Sequence, residues 1–370
     1  MRQKCSLILS DGNRFEGDLI GAPVRATGEL VFTTGMVGYS EAITDPSYYG
    51  QILVFTYPLI GNYGIPDLPV STREPIPRGF ESLRPQAAGV ILTVDSPETF
   101  HWNSFHSIDQ WLKDHDVPGI VGLDTRHLVH LIRSGANVLG RMEPESATGD
   151  RYAGDSIDFG RSKFFDPGQN RIITEVSTKE EVVLGTGSTR IAVVDCGVKW
   201  NIIRQLVELG CRVQLLPWDS DLTKVECDAW LVSNGPGDPT RTDNLRERIS
   251  WVLEQDKPVL GICLGHQMIA LAAGATTRRM PYGHRSHNQP VYEVGTRRGY
   301  ITTQNHGYVV EDESIPDDWE PWFRNVNDQT IEGIRHKSKP LRSVQFHPEA
   351  SGGPRDTAWI LEQFVAGVGK

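Results

Sequence analysis

Apolar and polar positions follow two different rhythms along this chain. In the first part the apolar runs are short and broken by turn residues. Cys5 to Leu9 and Arg14 to Ile20 flank Ser10-Asp11-Gly12-Asn13, a spacing that predicts a β-hairpin. Leu30 to Thr33, Ile52 to Phe55 and Ala88 to Val94 read as further strands. Glycine-, proline- and tyrosine-rich stretches separate them, notably Asp45-Pro46-Ser47-Tyr48-Tyr49-Gly50 and Gly61-Asn62-Tyr63-Gly64. Ile108 to His115 has helical spacing. A second helix carries Leu128, Leu131 and Ile132, with Asp124 or Thr125 as its cap and Gly135 as its stop.

The later rhythm is strand then helix. Ile191 to Val194, Val213 to Leu216, Ala229 to Val232 and Val259 to Ile262 are continuous apolar strands. Between them lie amphipathic stretches with Ile202, Ile203, Leu206 and Val207, and with Leu245, Ile249, Val252 and Leu253. This alternation predicts a mainly parallel sheet covered on both faces. From Pro144 to Ser188 the chain is polar with weak periodicity and reads as a connector. The expected division is therefore a β-rich mixed α/β domain over 1–143, a connector over 144–188, and an α/β domain over 189–370.

Composition narrows the function. With 370 residues and 38% hydrophobic content, two domains with real cores are expected. A net charge of −10 argues against nucleic acid or an anionic membrane as partner. There is no apolar run of membrane-spanning length, and the apolar stretch in MRQKCSLILSDGNRF is too short for a signal peptide. Five cysteines form no C-x-x-C pair, which points to a reducing cytoplasm without a disulfide frame or zinc site.

Chemistry concentrates around Pro258 to Gly274. Gly261-Ile262-Cys263-Leu264-Gly265 joins an apolar strand to a helical pattern, the grammar of a nucleophile elbow with cysteine in the serine's place. Side chains at Gly261 or Gly265 would collide with backbone in so sharp a turn. The helix N-terminus points N–H groups at the sulfur and favours the thiolate. The plain alternative is a small buried cysteine in an ordinary turn, and only a partner base decides between them. His347 and Glu349 lie two apart around Pro348, so on an extended chain they project together as an imidazole and its orienting carboxylate. His266 and His306 compete as bases at this level. Ser233-Asn234-Gly235-Pro236-Gly237-Asp238 makes a rigid strand-exit turn whose N–H groups, with that of Leu264, could hold an oxyanion.

These segments together resemble a family. Gly261 to Gln267, Phe346-His347-Pro348-Glu349 and Asn234 to Asp238 are similar to class I glutamine amidotransferase domains. Gln304-Asn305-His306-Gly307-Tyr308 resembles the carbamoyl-phosphate synthetases within that class. Thr34-Gly35-Met36-Val37-Gly38-Tyr39, Asp45-Pro46-Ser47-Tyr48 and Thr56 to Gly64 resemble the amino-terminal domain of their small subunit. Ser286, where glycine is common, and Ala350 to Pro354 depart slightly from the pattern. The resemblance implies that Cys263 is the nucleophile, His347 the general base and acid, and Glu349 its orienting partner. It further implies glutamine contacts from Ser47, Gly235, Gly237, Leu264, Gln267, Asn305, Gly307 and Tyr308. The chain has no G-x-x-x-x-G-K-[ST] loop. No cofactor is expected on it; ATP and Mg²⁺ are expected on a large subunit that receives the ammonia and makes carbamoyl phosphate for arginine or pyrimidine synthesis. The first domain would then serve chiefly as the interface with that subunit. A free-standing cysteine hydrolase of γ-glutamyl compounds and a regulatory module without turnover remain as alternatives at this point.

Overall fold

The computed structural model describes residues 2–67, 76–96, 98–99, 101–135, 137–151 and 164–369. They form two compact units, Met1–Gly168 and Gln169–Lys370. The polar stretch read as a connector is shared between them. Part of it is structured: Gly149–Asp150 pairs with Val24 and Arg25, Ile173–Val176 is a helical turn, and Val182–Leu184 is a strand.

In the first unit, Lys4–Leu9 and Arg14–Gly21 form the expected antiparallel hairpin, with Leu7 opposite Phe15. Val24–Thr33 pairs in parallel with Gln51–Phe55, which pairs with Gly89–Leu92, and that strand with Pro118–Val121. Pro118–Val121 joins Arg14–Gly21, and Leu139–Pro144 bonds to both Lys4–Leu9 and Val24–Thr33. The ladder thus runs round a closed circuit of seven strands, leaving no edge between them to be capped. Leu7, Leu30, Ile52, Val54, Val90, Ile120 and Met142 are buried in this unit. The anticipated Ala88–Val94 strand is two pieces, Gly89–Leu92 and Val94–Asp95, separated at Thr93. Helix Thr125–Ser134 begins on Asp124, whose side chain accepts the His127 N–H at 2.9 Å.

The second unit is built on one sheet of ten strands. Its five central strands, in spatial order Cys211–Pro217, Thr189–Asp195, Ala229–Val232, Val259–Ile262 and Leu341–Val344, are all parallel. The rest is antiparallel: Val182–Leu184 on one side, and on the other Ile331–His336, Trp319–Asn325, Thr277–Glu293 and Gly299–Val310. Parallel strands buried on both faces read as continuous apolar runs, which is why four of the five were visible in the sequence; Leu341–Val344, interrupted by Arg342 and Ser343, is no such run. Val194, Trp230, Val232, Leu245, Ile249, Val252, Met268 and Ile269 make one continuous core between sheet and helices. Helix Leu264–Ala273 leaves the central strand Val259–Ile262 and ends at Gly274, which has φ 104°.

Candidate active site

Parallel strands deliver their carboxyl ends to one edge of a sheet, and here three adjacent ones do so. Val232 lies in register with Gly261, and Ile262 with Val344. The Ser233–Asp238 turn, Cys263 and the Gln345–Glu349 segment therefore leave the sheet side by side. A fourth segment comes from the antiparallel part, where Thr303 bridges to His347 and accepts its backbone N–H at 2.9 Å.

Cys263 sits at the junction of strand and helix with φ 54° and ψ −103°, a conformation that non-glycine residues rarely adopt. Its N–H donates to Val344 O at 2.9 Å, which holds the bend against the neighbouring strand. Both glycines of the elbow are sterically required. A Cβ on Gly265 would lie 2.0 Å from Val232 O, and one on Gly261 2.6 Å from Gly265 O. Among the described residues no side chain caps the helix, so a cap does not take up the N–H groups of its first turn, that of Leu264 included.

His347 and Glu349 are buried, 1% and 2% exposed, and His347 Nδ1 lies 2.6 Å from Glu349 Oε1. Among the described residues Nε2, the other ring nitrogen, has no hydrogen-bond partner. The Cys263 sulfur acts on the ring electrostatically and favours its charged form. Burial works against the imidazolium, but the Glu349 carboxylate and the sulfur outweigh it and raise His347 to about 10. Burial likewise opposes the Glu349 carboxylate. His347 and Lys199 overcome that and hold it down at about 2.

Lys199 escaped the sequence reading. Its Nζ lies 3.1 Å from Glu349 Oε1, in a buried ion pair. The lysine is placed by a laced turn: Asp195 accepts the N–H groups of Gly197 and Val198, and Asn234 Oδ1 accepts that of Lys199. On the next helix, Asn201 and Gln205 donate their side-chain amides to Glu349 O. A signal was present, since Lys199 follows the carboxyl end of a buried parallel strand, where reactive groups gather.

Of the remaining candidates, Gly235 lies beside Leu264, whose Cδ2 would be 3.0 Å from a Cβ there; Cys196 O would be at 2.0 Å. Gly237 has φ 96°, which suits only glycine. Gln267 donates its side-chain amide to Tyr308 O and to Gln345 Oε1, both at 3.0 Å, so only its carbonyl oxygen is left to offer. Asn305 places its backbone carbonyl 3.8 Å from Cys263 Sγ, while its side-chain Nδ2 is buried without a partner. Gly307 and Tyr308 follow on the same strand. Ser47 belongs to the first unit, in the short turn Pro46–Tyr48, with its N–H accepted by Asp45 at 2.9 Å.

The competing histidines differ in chemistry. His266 Nδ1 bonds Ser343 Oγ at 2.9 Å, and burial pushes its pKa down to about 3. The ring nitrogens of His306 are taken by Tyr308 O and Gln304 Oε1, and burial lowers it far below the usual range. Only His347 of the three has a carboxylate within hydrogen-bond distance.

The two halves of the chain match known families separately. Residues 192–366 match the class-I glutamine amidotransferases, and residues 7–142 the CPSase domain of the carbamoyl-phosphate synthase small chain. The carbamoyl phosphate synthase arginine-specific small chain of Aspergillus clavatus is 42% identical, aligned over 100% of this chain and 80% of its own. The chain belongs to the carbamoyl phosphate synthase small-chain family. Two larger proteins also match nearly the whole of the chain. Multifunctional protein CAD of Squalus acanthias is 45% identical over 97% of the chain, and multifunctional protein URA2 of Saccharomyces cerevisiae 42% over 98%. The chain spans only 16% and 17% of their lengths.

One cluster in the small chain has a metal-like donor set. His284, His306 and Glu332 bring ligand atoms within 4.8 Å of one another. Their ring nitrogens are already engaged, with His284 Nδ1 3.2 Å from Glu332 Oε1 and Nε2 2.9 Å from Asp328 Oδ2. Burial opposes the His284 imidazolium, but the two carboxylates prevail and raise it to about 9. Burial in turn raises the Glu332 carboxyl, and the cluster is a buried hydrogen-bonded network of His284, Glu332 and Asp328. Among the described helices none is long and apolar enough to cross a membrane.

Proposed function

We propose that this chain hydrolyses glutamine through a γ-glutamyl thioester on Cys263 and supplies the ammonia to a large carbamoyl phosphate synthase subunit. The single observation that carries the reading is the buried His347–Glu349 pair, with its unengaged Nε2 beside the Cys263 elbow. Glu349 favours the imidazolium, the form of His347 that can later give up a proton. The thiolate attacks the side-chain carboxamide carbon, forming the C–S bond and moving the carbonyl electron pair to oxygen. N–H groups of Leu264 and of the Gly235–Gly237 turn receive that oxyanion. Collapse breaks the C–N bond as Nε2–H gives its proton to the departing nitrogen, releasing ammonia. Neutral His347 then takes a proton from water, whose hydroxide adds to the thioester carbon. The second collapse breaks the C–S bond, returns the thiolate and frees glutamate.

Recognition follows from the donors and acceptors left over. The carbonyl oxygen of Gln267 suits the substrate's α-ammonium group, and the unpartnered Asn305 Nδ2 suits an oxygen of the substrate. Gly307 and Tyr308 complete the proposed contacts on this unit. ATP and Mg²⁺ would act on the partner chain, activating bicarbonate, with the carbamoyl phosphate so formed serving arginine or pyrimidine synthesis.

Glutamate and ammonia release by the purified complex tests the reading. Cys263→Ala is expected to lower hydrolysis on the order of 10³-fold or more while the fold persists. Hydrolysis surviving in Cys263→Ala would overturn it. Glutamine-dependent carbamoyl phosphate formation, with Mg-ATP and bicarbonate, by a co-purifying large chain tests the partner.

A further inference from the structure

A backbone carbonyl can only accept a hydrogen bond, and one such carbonyl determines the direction of a chain of amides that ends at the nucleophile. Tyr308 O faces the side-chain amide of Gln267 at 3.0 Å, so the atom facing it is the Gln267 nitrogen. That nitrogen's second N–H points at Gln345, 3.0 Å away, so Gln345 must present its oxygen there. The other end of the Gln345 amide is therefore its NH₂ group, and it lies 3.6 Å from Cys263 Sγ. Gln345 is fully buried, and its own backbone N–H is tied to Glu332 O at 2.8 Å. It cannot turn the amide over without setting an N–H donor against the N–H donor of Gln267 and losing that bond.

We propose that Gln345 is a further catalytic residue of the glutamine-hydrolysing site: an amide donor to the Cys263 sulfur that stabilises its thiolate and ties it to Gln267. This rests on the reading of Cys263 as nucleophile. A fixed N–H donor favours an anionic sulfur over a thiol, and the favour is larger where water is excluded. The Asn305 carbonyl, 3.8 Å from the same sulfur, works in the opposite sense, since it accepts from a thiol and repels a thiolate. Gln345 offsets it from the other side. The relay also gives Gln267 a second duty. A substrate group that donates to the Gln267 carbonyl polarises an amide whose N–H groups already lead to the nucleophile. Substrate recognition and nucleophile ionisation then share one hydrogen-bond chain.

Alkylation by iodoacetamide reads ionisation without requiring turnover. In the wild-type complex the rate at Cys263, followed by peptide mass spectrometry, is measured at pH 7 and on its alkaline plateau. Gln345→Met keeps the length and removes the donor, whereas Gln345→Glu keeps the Gln267 acceptor and replaces the donor with an oxygen. The ratio of the pH 7 rate to the plateau rate is expected to fall about tenfold in both variants, a shift of about one pH unit in the profile. An unchanged ratio in both variants, with melting temperatures close to wild type, overturns the role of Gln345. Should one variant fail to fold, the ratio in the other decides. Loss of the role for Gln345 leaves the Cys263→Ala result untouched, so the two readings fail separately.

Discussion

Cys263 is held at φ 54° by its surroundings, and such a conformation costs on the order of 1–3 kcal/mol. The cost is met by the Val344 hydrogen bond and by close helix–strand packing that only glycine permits at positions 261 and 265. Gly265→Ala should destabilise the second unit by about 3 kcal/mol, because the new methyl meets the Val232 carbonyl and not a yielding side chain. Denaturant unfolding measures this; a change under 0.5 kcal/mol would contradict the packing. The elbow was legible because glycines flanking a cysteine after an apolar run have few other uses. Lys199 and Gln345 were not, since a single lysine or glutamine carries no pattern and acquires its role only from what folding sets beside it. At the base, Glu349→Gln removes the carboxylate and leaves burial to dominate. The His347 titration, followed by NMR of labelled histidine, should then move from about 10 to below 6.5.

Among the elements, four of the five parallel strands and the helices between them were visible in the sequence, and Leu341–Val344 and Gly299–Val310 were not. Its buried positions include Thr302, Thr303, Gln304 and His306, which break any apolar alternation. They satisfy each other: Thr302 donates to Gln289 O, Gln304 to Thr302, and His306 meets Gln304. A strand built of polar residues that serve a site contradicts the periodicity on which strand reading rests. The helix behind the elbow follows ordinary rules. Ile269 is fully buried and packs against Gly261, so Ile269→Ala should cost about 2–5 kcal/mol by opening a cavity at the base of the elbow. Calorimetry of the variant, beside alkylation of Cys263, would separate lost stability from lost site geometry. The closed ring of the first unit was only half legible. Its hairpin has a turn signal, whereas Pro118–Val121 and Leu139–Pro144 are short strands recognisable only from their partners.

At the level of the whole molecule, stability should depend on pH through the His347–Glu349 pair. The raised His347 value means that its contribution is complete below about 6.5 and is lost as pH rises through about 10. The lowered Glu349 value means that its contribution is present above about 4.5 and is lost as pH falls through about 2. Both are in place between about 4.5 and 6.5, and the melting temperature of the wild type should decline from there toward pH 10. In His347→Gln that alkaline decline should flatten; an identical decline in both proteins would contradict the assignment. Under the proposed mechanism the same raised value governs the rate, because there the imidazolium gives the departing nitrogen its proton.

The account stands on a covalent bond between substrate and one sulfur. Acid quenching of the complex during glutamine turnover, followed by peptide mass spectrometry, looks for it directly. The expected result is a γ-glutamyl group on the peptide containing Cys263, present with glutamine and absent in its absence. Steady glutamine hydrolysis with that peptide unmodified at every quench time, and with Cys263→Ala equally active, would contradict the account.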